Sequence, residues 1–410
     1  MIFIKVKNTL IFLVLMPLPY SCVDESIGQT KLTLDYTTDG LELELSGNVV
    51  NSSYAIASVS IDWGEDGPLT LVAGNFDSIN ETHKYDNEGL YNVITKAITA
   101  VGDTSIEQQE ITVSFTPTSL VGIRQTMYKA AANEYLFLTL NLHTYQEEDQ
   151  LQKLNMIIDV IGSMDVDFIS FQECAQHKSA KLINENIRED NMAYLIIAGL
   201  QKKYGKSYDF IWDWSHYGWN VWEEGVAVLS KYPIIAQEAR YVSSATSKNN
   251  IEARKVIYGA SQLPNGSNIN LFSAHLHWRK SLTDQEQNNQ IRNLQAMVDE
   301  KSTSGTYSFV SGDFNGNPTS NSPWSEGYLT MVDNGSYIDT YLEANADANN
   351  KPAMSKHYTV LGDFPGRIDY IFMKTNPDFT VIDSQIIFKP SVVGVVSDHY
   401  GVITKVKQNN

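Results

Sequence analysis

Asp313 and Asn315 stand two residues apart in GDFNGNP (312–318), directly after the apolar, small-residue run TYSFVS. Side chains alternate along an extended chain, so the two face the same side. Two oxygen donors aimed at one point suit a hard cation or a phosphate. Asp, Asn and Gly are also ordinary turn residues, so the fragment gains meaning only from its company. That company is a set of polar residues in or at the ends of other strand-like runs: Asn141, Gln172 with Glu173, Glu224, His275 with His277, Asp369, and Asp398 with His399. Each has an ordinary reading alone: a turn asparagine, a solvated glutamate, a satisfied core histidine, an aspartate paired with Arg367. The same feature recurring at strand ends, where α/β folds build their sites, points to one shared site.

The inventory limits the chemistry. Carboxylates and amides without cysteine favour Mg²⁺, Mn²⁺ or Ca²⁺ over zinc. Two histidines beside carboxylates supply acid and base groups near neutral pH. The chain has no glycine-rich P-loop, no GxSxG and no HExxH. Metal-assisted hydrolysis of a phosphate ester fits this set.

Strands and helices must position these groups. From Tyr135 onward, strand-like runs (YLFLTLNL, VDFISFQE, EGVAVLS, INLFSAHLH, TYSFVSGDF, GRIDYIF) alternate with helical stretches. Leu151, Leu154, Ile158 and Ile161 recur at helical spacing and predict one apolar face laid on a sheet. This predicts a layered α/β domain over 135–406. Before it, 30–117 carries short strand-like runs (LTLDYTT, LELELSG, ASVSIDWG, YNVITKAIT, EITVSF) and no helical pattern, which predicts a small β-sandwich. Residues 118–134 read as a linker.

At 410 residues, 42% hydrophobic and 19% charged, the chain is long enough for two domains with real cores. Its net charge of −18, without a Lys/Arg-rich tract, disfavours a stable grip on a nucleic-acid backbone, although nucleic acid stays an alternative partner. Residues 1–22 place Lys5 and Lys7 before an apolar core too short to cross a bilayer, the pattern of a signal peptide. It ends at Cys22, which resembles the lipidated cysteine of bacterial lipoproteins, with Pro19 departing from that pattern. The expectation is an extracytoplasmic protein anchored to a bacterial membrane by lipid on Cys22. Only Cys174 then remains, so no internal disulfide forms.

Two resemblances follow. SIDWGEDG with HKYDNEGLYNVITKAI resembles the PKD-type immunoglobulin-like domain through Trp63, Gly64, Gly67, His83, Tyr85, Gly89 and Tyr91, and implies a spacer or binding module with Trp63 and Tyr91 in its core. TLNLHTY, FISFQE, EEGVAVLSKYPI, SAHLHW, SGDFNGNP, GRIDYIF and SDHYGV occur in the order and spacing of the endonuclease/exonuclease/phosphatase superfamily.

The second resemblance implies a four-layered α/β sandwich, two mixed β-sheets face to face with helices outside. It implies Glu173 as the principal metal ligand beside Asn141 and Asp398, holding Mg²⁺, with Mn²⁺ or Ca²⁺ as alternatives. Asp313 and Asn315 orient water and phosphate. His275 acts on the phosphate, oriented by Glu224; His277 is its alternative. Asp369 orients, and His399 serves as acid or base. Arg254 sits where the family places a phosphate-contacting arginine. Where the family's nucleases carry arginines, this chain has His143 and Ala175, and tryptophans crowd the stretch before Glu224 (Trp212, Trp214, Trp219, Trp222). His143 and Trp222 are therefore expected to bind substrate. HTYQEED and WSHYG…EEGVA look most like the family's sugar-phosphate phosphatases, so the expected substrate is a small phosphorylated molecule, a sugar phosphate or phospholipid headgroup, with a nuclease as the alternative and no protein partner.

Overall fold

Alternation of buried and exposed residues builds the N-terminal unit. In the computed structural model, residues 29–409 are described apart from 40, 88, 114–119, 321–322, 350–354, 361–364 and 391. Residues 1–22, with Cys22, lie outside the described residues. Seven strands come first: β1 (Thr30–Asp39), β2 (Glu42–Asn51), β3 (Ile56–Asp62), β4 (Thr70–Leu71), β5 (Ile79–Lys84), β6 (Gly89–Thr99) and β7 (Thr104–Val113). They form two sheets, ordered β1-β2-β5 and β4-β3-β6-β7. Leu43 and Leu45 of β2 and Val93, Thr95 and Ala97 of β6 are buried at every second position. Trp63 is buried, donates from Nε1 to Thr70 Oγ1 at 2.7 Å and stacks on His83. Tyr91 is only half-buried, whereas Tyr85 is fully buried. β4 and β5 escape the sequence reading because one is two residues long and the other, INETHK, is mostly polar.

Residues 112–410 belong to the second unit. It contains α1 (Leu120–Thr126), β8 (Glu134–Asn141), α2 (Gln150–Met164), β9 (Phe168–His177), α3 (Met192–Tyr204), β10 (Asp209–Gly218), β11 (Trp222–Ser230), β12 (Ile234–Tyr241) and β13 (Lys255–Gln262). After these come β14 (Asn268–His275), α4 (Glu286–Lys301), β15 (Thr306–Asp313), α5 (Glu326–Val332), β16 (Tyr337–Asp339), α6 (Thr340–Ala344), β17 (Asp369–Lys374), β18 (Phe379–Ile387) and β19 (Gly401–Gln408). The stretch expected as a linker holds α1, and its Ile123 and Met127, four apart, are buried in the core beneath α2. Leu151 is 74% exposed, so the apolar face of α2 runs instead through Leu154, Ile157, Ile158 and Ile161.

Two six-stranded sheets are ordered β10-β11-β9-β8-β19-β18 and β12-β13-β14-β15-β17-β16. Each is antiparallel except at its centre, where β8 pairs parallel with β9 and β14 with β15, joined by the crossover helices α2 and α4. Between the sheets pack Phe137, Phe168, Val228, Leu271, Phe309, Ile371 and Val402. On the outer faces, Leu136, Leu138 and Ile169 meet α2 and α3, while Phe272, Val310 and Phe372 meet α4 and α5. The four layers are helix, sheet, sheet, helix. Central strands buried on both faces read as nearly continuous apolar runs, as LFLTL and SFV do.

Candidate active site

Along the inner face of the central strands, apolar side chains give way to polar ones toward one end. On β8 the inner series is Tyr135, Phe137, Thr139, Asn141; on β14 it is Ile269, Leu271, Ser273, His275; on β15 it is Phe309, Ser311, Asp313. Sheet register then sets neighbours: His275 lies opposite Asp313, and Asp313 opposite Asp369. A small polar layer seals the boundary, with Gln172 Nε2 donating to Ser273 Oγ at 3.0 Å and Ser273 Oγ to Phe171 O at 3.0 Å. The expected site residues thus converge because strand parity carries them to one end of the slot between the sheets.

Glu173 follows Gln172 and by simple alternation belongs on the outer, helix-covered face. Instead Phe171 faces Ala227 and Cys174 faces Gly225, so Gln172 and Glu173 together oppose Val226 in a β-bulge. With φ 43°, Glu173 turns inward and its Oε1 accepts from Asn141 Nδ2 at 2.9 Å. The same amide donates to Asp313 Oδ2 at 3.2 Å. Asp313 Oδ2 is also 3.6 Å from His275 Nε2 and 3.8 Å from His399 Nε2. Asp313 Oδ1 accepts from the backbone N–H of Asn315, which sits at φ 50° and ties its side-chain amide to Leu276 O.

Charge is distributed unevenly. Burial, with Glu224 nearby, pushes Glu173 up to about 7. Burial likewise pushes Asp313 up to about 7, with Asp369 adding to it and His399 opposing it. His275 is held well below its ordinary value by burial and by Arg254. Burial alone would also lower His399, but Asp369, whose Oδ2 lies 2.9 Å from His399 Nδ1, and Asp313 overcome it and raise it well above 6.5. At neutral pH His275 is therefore a neutral ring and His399 an imidazolium. Asp369 serves His399 and not Arg367, which pairs with Asp339 at 2.6 Å.

Glu224 Oε1 faces His216 Nε2 at 3.1 Å. The partner expected for Glu224 was His275; a bulge at Ser215, between Trp214 and His216, brings His216 opposite it instead. Arg254 is buried, with Nη1 3.3 Å from His216 Nδ1, its guanidinium 5.7 Å from the Trp278 ring and Nε lacking a hydrogen-bond partner. His143 Nδ1 contacts Glu147 Oε1 at 2.6 Å and lies 3.6 Å from Asp398 Oδ1. Glu147 accepts in turn from Asp398 N and Lys153. His277 faces Asp284 away from this group.

A cleft of about 320 Å³ opens over these residues, lined among others by His143, Glu173, Glu224, Arg254, His275, Asp313, Asn315, Asp398 and His399. Trp222 does not line it: the ring stacks on Tyr145 at 4.1 Å between centroids. Trp212 and Trp214 are buried in the core. Trp219 and Trp278 are the tryptophans of the cleft. His216, Glu147 and Trp278 were missed by the sequence reading; the WSHYG, HTYQEED and SAHLHW segments that contain them were the only signals.

The donor set tests whether a metal fits. Glu173, Asp313 and Asp398 offer only oxygen toward the cleft, whereas Asn141 turns its amide nitrogen to Glu173 and Asp313 and its Oδ1 accepts from His143 N–H. Two of the carboxyls sit well above their ordinary range in the absence of a cation. The carboxylates Asp313 and Asp369 also approach His399 closely enough to share an ion. A hard divalent cation answers both the donor chemistry and the uncompensated charge.

A sandwich of two mixed sheets with this polar cluster at one end defines a phosphate-ester hydrolase architecture. A sequence model of the Endonuclease/Exonuclease/phosphatase family matches residues 138–399, and the chain belongs to that family. Its members are hydrolases of phosphate esters and typically use a divalent metal. Among solved structures, an endonuclease/exonuclease/phosphatase family protein from Leptotrichia buccalis C-1013-b is similar at 28% identity and TM-score 0.57, over 67% of this chain and 99% of that one. A second, from Beutenbergia cavernae DSM 12333, is 20% identical with TM-score 0.52, over 68% and 72% of the two chains. The human Nocturnin catalytic domain with bound sulfate anion is 16% identical with TM-score 0.51, over 68% and 95%. A search of curated protein sequences gave no match.

Proposed function

We propose that the chain is a Mg²⁺-dependent phosphoesterase that hydrolyses a small phosphorylated substrate, a sugar phosphate or phospholipid headgroup, by in-line attack of water. The observation that carries this reading is the Asp313 carboxylate, set among Asn141, His275 and the His399–Asp369 pair at the floor of a small cleft. Glu173, Asn141 and Asp398 are the residues that would hold the cation. When bound, the cation neutralises phosphate charge and acidifies water.

The chain's own groups do the rest. Asp313, titrating near neutrality, takes a proton from the attacking water as its oxygen bonds to phosphorus. The bond from phosphorus to the leaving alcohol oxygen breaks, and the His399 imidazolium supplies that oxygen's proton. The proton on Asp313 then restores His399 across the 3.8 Å between Oδ2 and Nε2. Neutral His275 and the side-chain amide of Asn315 are placed to fix the phosphate oxygens. Arg254, charged and buried, stabilises the growing negative charge.

The N-terminal unit is proposed as a PKD-like spacer or binding module, and Cys22 as the site of a lipid anchor on the extracytoplasmic side of a bacterial membrane. Support comes from the Trp63–His83 stack and from the leader-like residues 1–22. Loss of lipid incorporation in Cys22→Ser checks the anchor.

Parallel assays with sugar phosphates, sphingomyelin and supercoiled plasmid, each with Mg²⁺ and with EDTA, test the substrate class. EDTA-sensitive turnover of the small esters is expected. Plasmid nicking alone would replace this reading with a nuclease.

A further inference from the structure

The hairpin joining β10 to β11 turns on Gly218–Val221, with Val221 N donating to Gly218 O at 3.0 Å. Its two central residues, Trp219 at φ 52° and Asn220 at φ 57°, both lie in the left-handed region, the geometry of a type I′ turn. Asn, Asp and Gly fill such positions without difficulty, whereas a bulky aromatic ring enters them only at a cost in backbone energy. Burial does not compensate, because Trp219 is 77% exposed. Its Nε1 donates to Gln146 Oε1 at 3.2 Å, which fixes the ring at the edge of the cleft it lines. Trp278, 39% exposed, and Ile251, 55% exposed, line the same cleft. Strain at a residue the core does not use indicates a ligand-directed role, and apolar surface gathered around a polar floor marks a binding site.

We propose that Trp219, together with Trp278, forms the subsite for the alcohol portion of the substrate, and that this alcohol is a saturated polyhydroxylated ring, as in a pyranose or cyclitol phosphate. The inference rests on the phosphoesterase reading and narrows its substrate class. The C–H face of such a ring lies on an indole, while its hydroxyls find acceptors in Glu224, Asp398 and Gln146, which line the same cleft. A volume of about 320 Å³ suits one ring with its phosphate, being near the lower end of the roughly 300–1,000 Å³ typical of small-molecule sites.

The experiment uses the full chain with Mg²⁺ and compares a hexose 6-phosphate and an inositol monophosphate with glycerol phosphate and a nucleoside monophosphate, for wild type and Trp219→Gly. Wild type is expected to prefer the ring phosphates. In Trp219→Gly that preference falls roughly tenfold, the order expected for one lost stacking partner, through a higher KM with kcat little changed. The melting temperature stays equal or rises, because glycine relieves the turn. An unchanged preference overturns the proposal, as does a uniform loss of activity with a lower melting temperature, which marks a structural tryptophan. Preference for the nucleotide also overturns it. If wild type hydrolyses none of the esters, the phosphoesterase reading fails by itself. Equilibrium dialysis of the hexose phosphate then decides the subsite: binding weakened in Trp219→Gly sustains it, and no binding to wild type removes it.

Discussion

His399 Nδ1 lies 2.9 Å from Asp369 Oδ2, and both residues are buried. The carboxylate fixes the ring's orientation and holds its second proton, leaving Nε2 free to face Asp313 and the cleft. Because His399 is raised above its ordinary value, the imidazolium form persists through neutral pH. Its contribution to stability is fully present below about 6.5 and is lost as pH rises through the folded-state value. Asp369→Asn is expected to lower that value, moving the alkaline limb of the kcat/KM profile to lower pH and reducing kcat by about 10²- to 10⁴-fold. The pH–rate profile of the variant checks this.

Glu173 gives the metal-free protein a pH dependence of the same sign. Its folded-state carboxyl stands at about 7 against an ordinary 4.5, so the folded state binds more protons than the unfolded state between those values. Stability from this group therefore falls as pH rises from 4.5 to 7. Glu173→Gln should stabilise the metal-free protein at pH 8 by on the order of 2 kcal/mol, with little effect at pH 4. Denaturation of both proteins in EDTA at the two pH values measures the difference. Mg²⁺ should reverse the sign at pH 8 under the proposed assignment of Glu173 as a cation ligand.

Gly312 precedes Asp313 at φ 143°, and a Cβ there would sit 1.9 Å from Ala274 O on the paired strand. Gly312→Ala must push β14 and β15 apart where they hold His275 and Asp313. A loss of more than about 3 kcal/mol is expected in urea denaturation, with activity lost in any folded fraction.

Arg367 and Asp339 form a buried pair, in which Asp339 also accepts from Tyr328 OH and caps α6. Arg367→Met leaves that carboxylate uncompensated and should cost about 3–5 kcal/mol. Thermal denaturation should show the loss with no change in the metal requirement, because neither residue lines the cleft.

The parts of the site legible in sequence are those that follow strand parity. Asp313, Asn141, His275 and Asp369 sit where alternating runs place them, whereas Asn315 lies beyond the end of β15 in a turn at φ 50°, so alternation does not set its direction. Seven ordered motifs carried the resemblance to the family and its four layers. What stayed hidden depends on departures from alternation or on contacts between distant segments. The bulge that turns Glu173 inward and the one that sets His216 against Glu224 leave no mark in local composition. Trp222 stands among the tryptophans crowded before Glu224 and was expected at the substrate, but Tyr145, brought over by the loop after β8, covers its face. Trp219 occupies a turn that sequence rules assign to Asn or Gly, so its position became clear only with the backbone. α1 was read as linker because it is seven residues long and shows no helical apolar repeat of its own, its Leu120 and Ile123 meeting the core with Met127 just beyond it.

The central claim is that Asp313 and a bound divalent cation together hydrolyse a phosphate ester. Its most direct test is phosphate release from a panel of sugar phosphates by the full chain in Mg²⁺, by the same protein in EDTA, and by folded Asp313→Asn. Turnover by wild type, abolished by EDTA and cut by roughly 10²- to 10⁴-fold in the variant, is the predicted result. Hydrolysis that survives both EDTA and the substitution would contradict it.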